Sequence, residues 1–307
     1  MFGSVLALVT GASGFVGPHL VGHLEACGDT VVPDREIDIR DPEAVRTWFG
    51  DHHPEVVYHL AGWADVGASW NQPEEVFDVN ATGTLHVLRA ARELGCRRVV
   101  VVSSADVYGI VPTEQLPITE DHPLRPVSPY AVSKVAADFL GLQAWLGHRL
   151  EVVRVRAFNH LGPGQSAAFV APSIASRIAS NEVDGGDEIP VGNLSARRDI
   201  TDVRDVVRAY RLLMEHGEPG EAYNVCSGVD VAIGDLARRL VALAAHPMRL
   251  VDDPARQRPI DVPVLRGDPS RLQAATGWKP EIAVDQTLAD VLADWRARAA
   301  RVDQSDG

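Results

Sequence analysis

A tyrosine and a lysine four residues apart, Tyr130 and Lys134, are the residues of this chain whose types and spacing most directly suggest chemistry. Positions i and i+4 lie on one face of a helix. A cation beside a phenol favours the phenolate, so we expect Lys134 to lower the pKa of Tyr130 from about 10 toward neutrality. A phenol that exchanges a proton near pH 7 suits the interconversion of a ketone and an alcohol. The spacing alone is common, so its meaning depends on the rest of the chain.

A glycine-rich turn near the N-terminus is typical of a dinucleotide site. Residues 11–17 read G-x-x-G-x-x-G, and they follow the apolar run 5–9. Glycines let the backbone approach a pyrophosphate, and the N-terminus of the next helix supplies N–H groups and a positive dipole. We therefore predict that NAD or NADP binds here. The turn residues expected to contact it are Gly11, Ser13, Gly14, Phe15, Val16 and Gly17.

Four residues beyond the second predicted strand are candidates to contact the adenosine half of the cofactor, and two of them bear on the choice between NAD and NADP. Asp34 lies about twenty residues past the turn, where a carboxylate binds ribose hydroxyls, and this favours NAD. The neighbouring Arg35 would instead meet a 2′-phosphate, which favours NADP. Asp38 and Ile39 are expected to flank the adenine, unless Asp38 is only an acid at a helix N-terminus. The sequence leaves the choice of cofactor open.

Apolar runs and helical segments alternate through the first half of the chain. This alternation predicts an α/β fold with a doubly wound parallel sheet of the Rossmann type. Past residue 158 the loops lengthen, which predicts a smaller C-terminal α/β lobe. We expect residues 1–157 to bind the dinucleotide, and residues 158–307, interleaved with them, to bind mainly substrate. The predicted elements are strands at 5–9, 30–33, 56–60, 98–103 and 150–155, helices at 15–27, 42–49, 75–94 and 130–145, and a mobile loop at 181–187.

Composition restricts the classes of partner. The 307 residues carry 29 basic against 42 acidic side chains, a net charge of −13, which argues against nucleic acid and anionic membranes as partners. No signal peptide or membrane-spanning run is evident, and the widely spaced cysteines form no C-x-x-C pair. We therefore expect a cytoplasmic protein without a metal site.

Six segments, in this order and spacing, resemble the extended short-chain dehydrogenase/reductases, the family of nucleotide-sugar epimerases, dehydratases and reductases. The resemblance implies that Tyr130 is the catalytic acid/base and that Lys134 lowers its pKa and holds the nicotinamide ribose. It implies that Ser104 hydrogen bonds the reacting oxygen, although a serine here could also be only a strand-end cap. The six segments are residues 10–17, 59–62, 79–84, 103–109, 130–134 and 156–159.

The resemblance also implies further residues beside the cofactor. Leu60, Ala61 and Gly62 would lie along it, and Gly62 departs from the family's usual alanine without much expected effect. Asn80 would stabilise the backbone near the active site. Two helices, at about 75–94 and 130–145, would form a homodimer interface, although their apolar stripes would suit an ordinary core equally well.

Two features bear on which reaction the family member performs. A 4,6-dehydratase of this family has an acid and a base after the hydroxyl-bearing residue, whereas Ala105 follows Ser104 here and only Asp106 is acidic. Three C-terminal segments, 156–165, 192–205 and 256–263, are similar to those of GDP-4-keto-6-deoxy-D-mannose reductases. The similarity implies a nucleotide-diphosphate sugar substrate, contacted by Ser104, Asp106, Asn159, Arg198, Arg258 and Asp261.

The reaction we predict is reduction at sugar C4 of a GDP-4-keto-6-deoxy-hexose. A nucleotide-sugar 4-epimerase that retains NAD tightly needs the same three residues and stays open. A dehydratase and a non-catalytic dinucleotide-sensing protein are less favoured. Surface ion pairs are the alternative role for the C-terminal arginines.

Overall fold

The computed structural model describes residues 4–32, 37–256 and 262–303. The strands are β1 (Leu6–Thr10), β2 (Thr30–Val31), β3 (Val56–His59), β4 (Arg98–Ser104), β5 (Glu151–Ala157), β6 (Asn159–Leu161), β7 (Glu188–Val191), β8 (Arg197–Asp202), β9 (Ala222–Val225), β10 (Asp230–Ala232), β11 (Arg249–Asp252) and β12 (Val264–Leu265). The α-helices are α1 (Val16–Ala26), α2 (Pro42–His52), α3 (Pro73–Phe77), α4 (Gly83–Glu93), α5 (Pro129–His148), α6 (Val170–Asp184), α7 (Val203–His216), α8 (Ile233–Ala242), α9 (Ser270–Thr276) and α10 (Val284–Asp303).

The main sheet has six parallel strands in the order β2-β1-β3-β4-β5-β9. Its central strands are buried on both faces, which is why they read as continuous apolar runs. The chain runs from β1 outward to β2 and then returns to β3 on the other side of β1. That reversal opens a crevice at the carboxyl ends of β1 and β3, where ligands bind in such sheets. The predicted doubly wound sheet is confirmed.

A second, smaller layer follows the main sheet in the chain. Strand β8 pairs with β10, β12 and β6, and β7 pairs with β11. Helices α6, α8 and α10 pack their apolar faces into a separate core that includes Ile178, Leu240 and Leu292. Strand β9 and helix α7 return to the large sheet, so the two layers share chain segments.

Two predicted elements differ from the structure. The mobile loop predicted at 181–187 is wrong in its first half, because α6 continues to Asp184 and ends at Gly185 in a left-handed conformation. Ile174 and Ile178 of this helix pack into the core, and Asn181, within the predicted loop, is buried and donates to the Glu188 carbonyl at 3.0 Å. The single helix predicted at 75–94 is interrupted by a π-helical turn over Asp78–Thr82, between α3 and α4.

Among the described helices, none combines the length and apolar character needed to cross a bilayer.

Candidate active site

A cavity of about 550 Å³ opens at the carboxyl ends of the central strands. Three chain segments that are distant in sequence meet there: the glycine turn after β1, the end of β4, and the first turns of α5. The cavity therefore brings Ser104, Tyr130 and Lys134 together with the predicted cofactor turn.

Ser104 is the last residue of β4 and the cap of the short 3₁₀ turn that follows. Its Oγ accepts a hydrogen bond from the Asp106 backbone N–H at 3.1 Å and donates to Asp106 Oδ2 at 3.5 Å. The Ser104 side chain lines the same cavity as Tyr130 and acts on it to lower its pKa. Ser104 is thus a strand-end cap as well as a neighbour of the phenol.

Helix α5 carries Tyr130 and Lys134 on the face that meets β4. Its start is fixed by Pro129 in the first turn and by the Ser128 hydroxyl, which accepts from the Ala131 N–H at 3.1 Å. One turn later the Ser103 hydroxyl donates to the Lys134 carbonyl at 3.1 Å. These bonds fix the register of the helix against the strand that presents Ser104.

Burial dominates the ionisation of the two α5 residues. It raises the pKa of Tyr130 well above the usual phenol value, and the Asp106 carboxylate raises it further, while the bond to Ser104 lowers it. Burial also lowers the pKa of Lys134 to about 8. The Lys134 ammonium donates to the Val102 carbonyl at 3.1 Å. The expected lowering of the Tyr130 pKa is therefore wrong for the protein alone, because desolvation and the Asp106 carboxylate outweigh the opposing effect of Ser104.

The glycine turn has the shape and donors that a dinucleotide needs. Helix α1 begins without a side-chain cap or an acidic residue in its first turn, so its first N–H groups are open to an anion. Gly11 has φ +72°, and a Cβ on it would lie 2.8 Å from the Ala61 backbone. Only glycine fits this position, which brings the turn close to the end of β3.

A second cavity, of about 250 Å³, adjoins the first around this turn. Asp38 and Ile39, the predicted adenine neighbours, line it with Trp48 and Val79. A dinucleotide is long enough to need two linked cavities with its diphosphate at the junction, so the described residues fit that group. The residues that line both cavities are Gly11, Ser13, Ala61, Gly62 and Trp63.

Of the four residues predicted to contact the adenosine half of the cofactor, the structure describes the two expected beside the adenine, Asp38 and Ile39. Asp34 and Arg35 lie outside the described residues. The Asp38 carboxylate is held by Arg40, with an Nη2 to Oδ2 distance of 2.7 Å. The Ile39 carbonyl lies 3.0 Å from the His86 Nδ1.

Asn80 lies in the π-helical turn and clamps the backbone beside the cavity. Its Oδ1 accepts from the Trp63 N–H at 2.7 Å, and its Nδ2 donates to the Ser133 hydroxyl at 2.8 Å. A Cβ on Gly62 would lie 2.7 Å from the Asn80 Oδ1 and 3.2 Å from the Lys134 Nζ. The glycine that replaces the family's usual alanine therefore lets Asn80 and Lys134 approach the chain closely.

A buried histidine braces the ends of β1 and β3. The His59 Nδ1 lies 2.7 Å from the Thr10 hydroxyl, and its Nε2 lies 2.9 Å from the Thr84 hydroxyl. Burial, and secondarily the charge of Lys134, lowers the pKa of His59 to about 3, so the ring is neutral. The Thr10 hydroxyl in turn accepts from the Ala61 N–H at 3.2 Å, which fixes the strand end that carries residues 60–62.

Four of the predicted substrate residues line the large cavity, namely Ser104, Asp106, Asn159 and Arg198. The Arg198 guanidinium donates to the Val262 carbonyl at 2.6 Å. Its neighbour Arg197 forms an ion pair with Asp230 instead. Two further predicted contacts, Arg258 and Asp261, lie outside the described residues.

His160, Gln165 and Tyr210, which received no role from the sequence, line the large cavity. Phe15 of the glycine turn stacks on His160, with ring centroids 5.9 Å apart and an interplanar angle of 9°. His160 and Gln165 lie inside the quoted segment 156–165, so that segment held the available signal. Tyr210 on α7 is fully buried and carries no local motif that would have marked it.

The model of the GDP-mannose 4,6-dehydratase family matches residues 34–291. The chain belongs to that family. This places it within the extended short-chain dehydrogenase/reductases, as the six sequence segments implied. The family contains enzymes of several activities, so membership alone does not fix the reaction.

Relatives of known activity and structure cover almost the whole chain. A GDP-6-deoxy-D-mannose reductase of Pseudomonas aeruginosa is 40% identical over 299 residues, which are 94% of this chain and 97% of the relative. A UDP-glucose 4-epimerase of Streptomyces lividans is 29% identical and covers 94% of this chain and 95% of its own length. The structure of RMD from Pseudomonas aeruginosa complexed with NADPH superposes with a TM-score of 0.90 at 38% identity, over 96% of this chain and 100% of that one. A UDP-glucose 4-epimerase structure from Thermotoga maritima with UDP-glucose gives 0.89 at 26% identity, over 95% and 99%.

Proposed function

We propose that this protein is an NAD(P)-dependent reductase that converts the C4 ketone of a GDP-4-keto-6-deoxy-hexose to an alcohol. The observation that carries the proposal is the convergence of Ser104, Tyr130 and Lys134 in one cavity beside the glycine turn. The 40% identity to a GDP-6-deoxy-D-mannose reductase over nearly the full chain supports the choice of sugar nucleotide.

The chain's own residues supply the acid and the orientation. A bound nicotinamide dinucleotide would supply the hydride. Tyr130 gives its phenolic proton to the carbonyl oxygen as negative charge develops there, and Ser104 hydrogen bonds the same oxygen and holds it toward the phenol. Lys134, buried one turn along α5, holds the nicotinamide ribose and stabilises the phenolate that remains.

The cofactor and substrate occupy different parts of the site in this proposal. The dinucleotide binds along the residues of both cavities, from the adenine near Asp38 and Ile39 to the nicotinamide near Tyr130. Asn159 and Arg198 meet the sugar-nucleotide diphosphate, for which a guanidinium fork is well suited. Arg258 and Asp261 remain predicted contacts to the same nucleotide, and Asp34 and Arg35 remain predicted contacts to the cofactor.

A dehydratase is disfavoured by the residue that follows Ser104. Ala105 lines the cavity and is only 1% exposed, packed with Tyr108 and Phe158. A methyl group transfers no proton, so of the two described residues that follow Ser104 only Asp106 is an acid, whereas eliminating water across C5 and C6 requires an acid and a base.

A 4-epimerase is the second candidate, because the Thermotoga maritima epimerase structure superposes almost as well as the NADPH complex. An epimerase oxidises and re-reduces C4 with the same tyrosine and serine and shows no net redox change. The two reactions therefore differ in what happens to the cofactor.

The deciding experiment follows hydride transfer with purified protein. GDP-4-keto-6-deoxymannose and NADPH deuterated at C4 of the nicotinamide are incubated together, and the product is analysed by mass spectrometry and NMR. A reductase consumes NADPH stoichiometrically and places one deuterium at sugar C4. Retained NAD⁺ together with interconversion of UDP-glucose and UDP-galactose, without NADPH consumption, would establish the epimerase instead.

We also propose that the protein is a homodimer through α4 and α5. Apolar side chains stand exposed along these helices and the adjoining α3, which is uncommon for a monomer surface. They are Phe77, Leu85, Val132, Phe139 and Leu146, exposed by 45%, 45%, 47%, 51% and 61%.

A further inference from the structure

One carboxylate stands beside the Ser104–Tyr130 pair, and the reduction itself does not use it. Asp106 follows Ser104 by two residues, is partly exposed, and lines the large cavity. The Ser104 Oγ accepts from the Asp106 N–H at 3.1 Å and donates its proton toward Asp106 Oδ2 at 3.5 Å. The backbone bond fixes the serine, and the carboxylate orients its hydroxyl proton.

Tyr130, Ser104 and Asp106 line one cavity, and Ser104 is the member that hydrogen bonds Asp106. Tyr130 is only 7% exposed, and Ser104 acts on it to lower its pKa. A hydroxyl is a donor and an acceptor at once, so Ser104 can pass a proton from one neighbour to the other. Asp106, at the outer end, is the member with access to the solvent of the cavity.

Each reductive turnover leaves Tyr130 without its proton. Once Tyr130 has given its proton to the carbonyl oxygen, it is a phenolate, and burial makes that anion costly. The next turnover needs the phenol again. Ser104 lines the same cavity as Tyr130 and can both donate and accept a proton, so it is a suitable neighbour for this step.

We propose that Asp106 returns the proton to Tyr130 through Ser104 after each turnover. The Ser104 O–H gives its proton to the Tyr130 phenolate while the Asp106 carboxylic acid gives its proton to the Ser104 oxygen. The Asp106 carboxylate then takes a proton from cavity water. One proton enters from solvent for each proton delivered to the product alcohol, so the cycle balances.

Other titratable groups of the cavity are less well placed for this role. The Lys134 Nζ donates to the Val102 carbonyl at 3.1 Å, and the Arg198 guanidinium donates to the Val262 carbonyl at 2.6 Å. The Asp65 carboxylate accepts from the Ala68 N–H at 3.0 Å and holds a turn of its own. His160, held by the Phe158 carbonyl at 3.0 Å, and Tyr210 complete the described titratable side chains that line the cavity.

This inference rests on the proposed reductase function, and chemical rescue separates the two. Asp106→Ala removes the relay and leaves room for a small acid. With NADPH and the 4-keto sugar nucleotide we expect kcat to fall 10- to 100-fold, while the Kd of NADPH, measured by fluorescence titration, changes less than twofold. Added formate should restore kcat at least fivefold in Asp106→Ala.

Four further variants make the result specific. Asp106→Asn keeps the shape without the acid, so it should be as slow as Asp106→Ala and resist rescue, while Asp106→Glu should retain more activity than either. Formate should not rescue Tyr130→Phe, which lacks the phenol to be reprotonated. Glu114→Gln, at an exposed position outside the cavity, should match the wild type.

The possible failures are distinct. If the wild-type protein transfers no hydride, the proposed function fails. If the wild type is active and Asp106→Ala keeps kcat within twofold, or is slow but unresponsive to formate, the relay is wrong while the reductase function stands.

Discussion

At the scale of single residues, the Tyr130 hydroxyl carries the proton that the proposed reaction needs. Tyr130→Phe removes only that hydroxyl from a residue whose ring is buried. We expect kcat for hydride transfer to drop by about 10²- to 10⁴-fold, the usual contribution of a positioned acid. NADPH binding, measured by calorimetry, should stay within a few fold because the cofactor turn is untouched. Turnover at the wild-type rate would remove Tyr130 from the mechanism.

The burial of the Lys134 ammonium lowers the stability of the folded protein. Burial lowers its pKa from 10.5 in the unfolded chain to about 8. Below pH 8 both states are protonated and the folded state bears the full cost, about 3 kcal/mol at 1.36 kcal/mol per unit. Between pH 8 and 10.5 the unfolded chain binds more protons, so stability rises with pH.

Lys134→Met should therefore stabilise the cofactor-free protein at pH 7. The expected gain is about 2 kcal/mol, after subtracting about 1 kcal/mol for the lost bond to the Val102 carbonyl. Most of the gain should vanish by pH 10, because the wild-type lysine is then largely neutral. Urea unfolding at the two pH values measures it. An equal difference at both pH values would show that the lysine charge is not the cause.

At the scale of elements, α5 is held on β5 by a buried ionic cluster. The Asp138 carboxylate is fully buried and accepts from Arg154 at 2.5 Å and from Arg156 at 2.9 Å. Arg156 continues to the Tyr108 hydroxyl at 3.0 Å and stands opposite Ser103 in the sheet register. The cluster thus joins the helix of Tyr130 to the strand next to the one that ends at Ser104.

The substitution Asp138→Asn tests how much the cluster contributes to the stability of the protein. Two buried guanidinium groups lose their counter-charge while the shape is conserved, so we expect a loss of about 3–5 kcal/mol in the free energy of unfolding. The matched control is Asp121→Asn, which breaks an ion pair to Arg271 at a side chain that is 82% exposed. That change should cost no more than about 1 kcal/mol. Equal effects in urea unfolding would contradict the assigned role of the cluster.

The elements also show which features of the fold and site could be predicted from the sequence. The apolar run at 5–9 and the valine-rich segment at 98–103 predict buried strands because parallel strands are covered on both faces. The shared face of Tyr130 and Lys134 follows from helical spacing. The Asp138 cluster could not be predicted, because its three charged residues meet only after α5 packs on β5. The π-helical turn at Asn80 and the continuation of α6 to Asp184 likewise depend on tertiary contacts that override local composition. Predicting the direction of the Tyr130 pKa shift required the depth of burial as well as the neighbouring charge.

At the scale of the whole molecule, the exposed apolar stripe on α5 is unexplained by the single chain. Val132, Phe139 and Leu146 recur every seven residues, so they lie on one side of the helix. Tyr130 and Lys134 on the same helix are buried against the cavity. A partner on the stripe would therefore press the catalytic helix onto β4 from outside. The proposed dimer would stabilise the active site without contributing a residue to it.

The double variant Phe139→Lys/Leu146→Glu tests this arrangement. We expect light scattering to give twice the 33.1 kDa chain mass for the wild type and the single chain mass for the variant. Val229→Glu, at a side chain that is 71% exposed and lies outside these helices, should remain dimeric. Because α5 would lose its outer support, the melting temperature of the double variant should fall and kcat should fall with it, whereas Val229→Glu should change neither. A wild-type monomer at micromolar concentration would refute the dimer and leave the stripe without a partner.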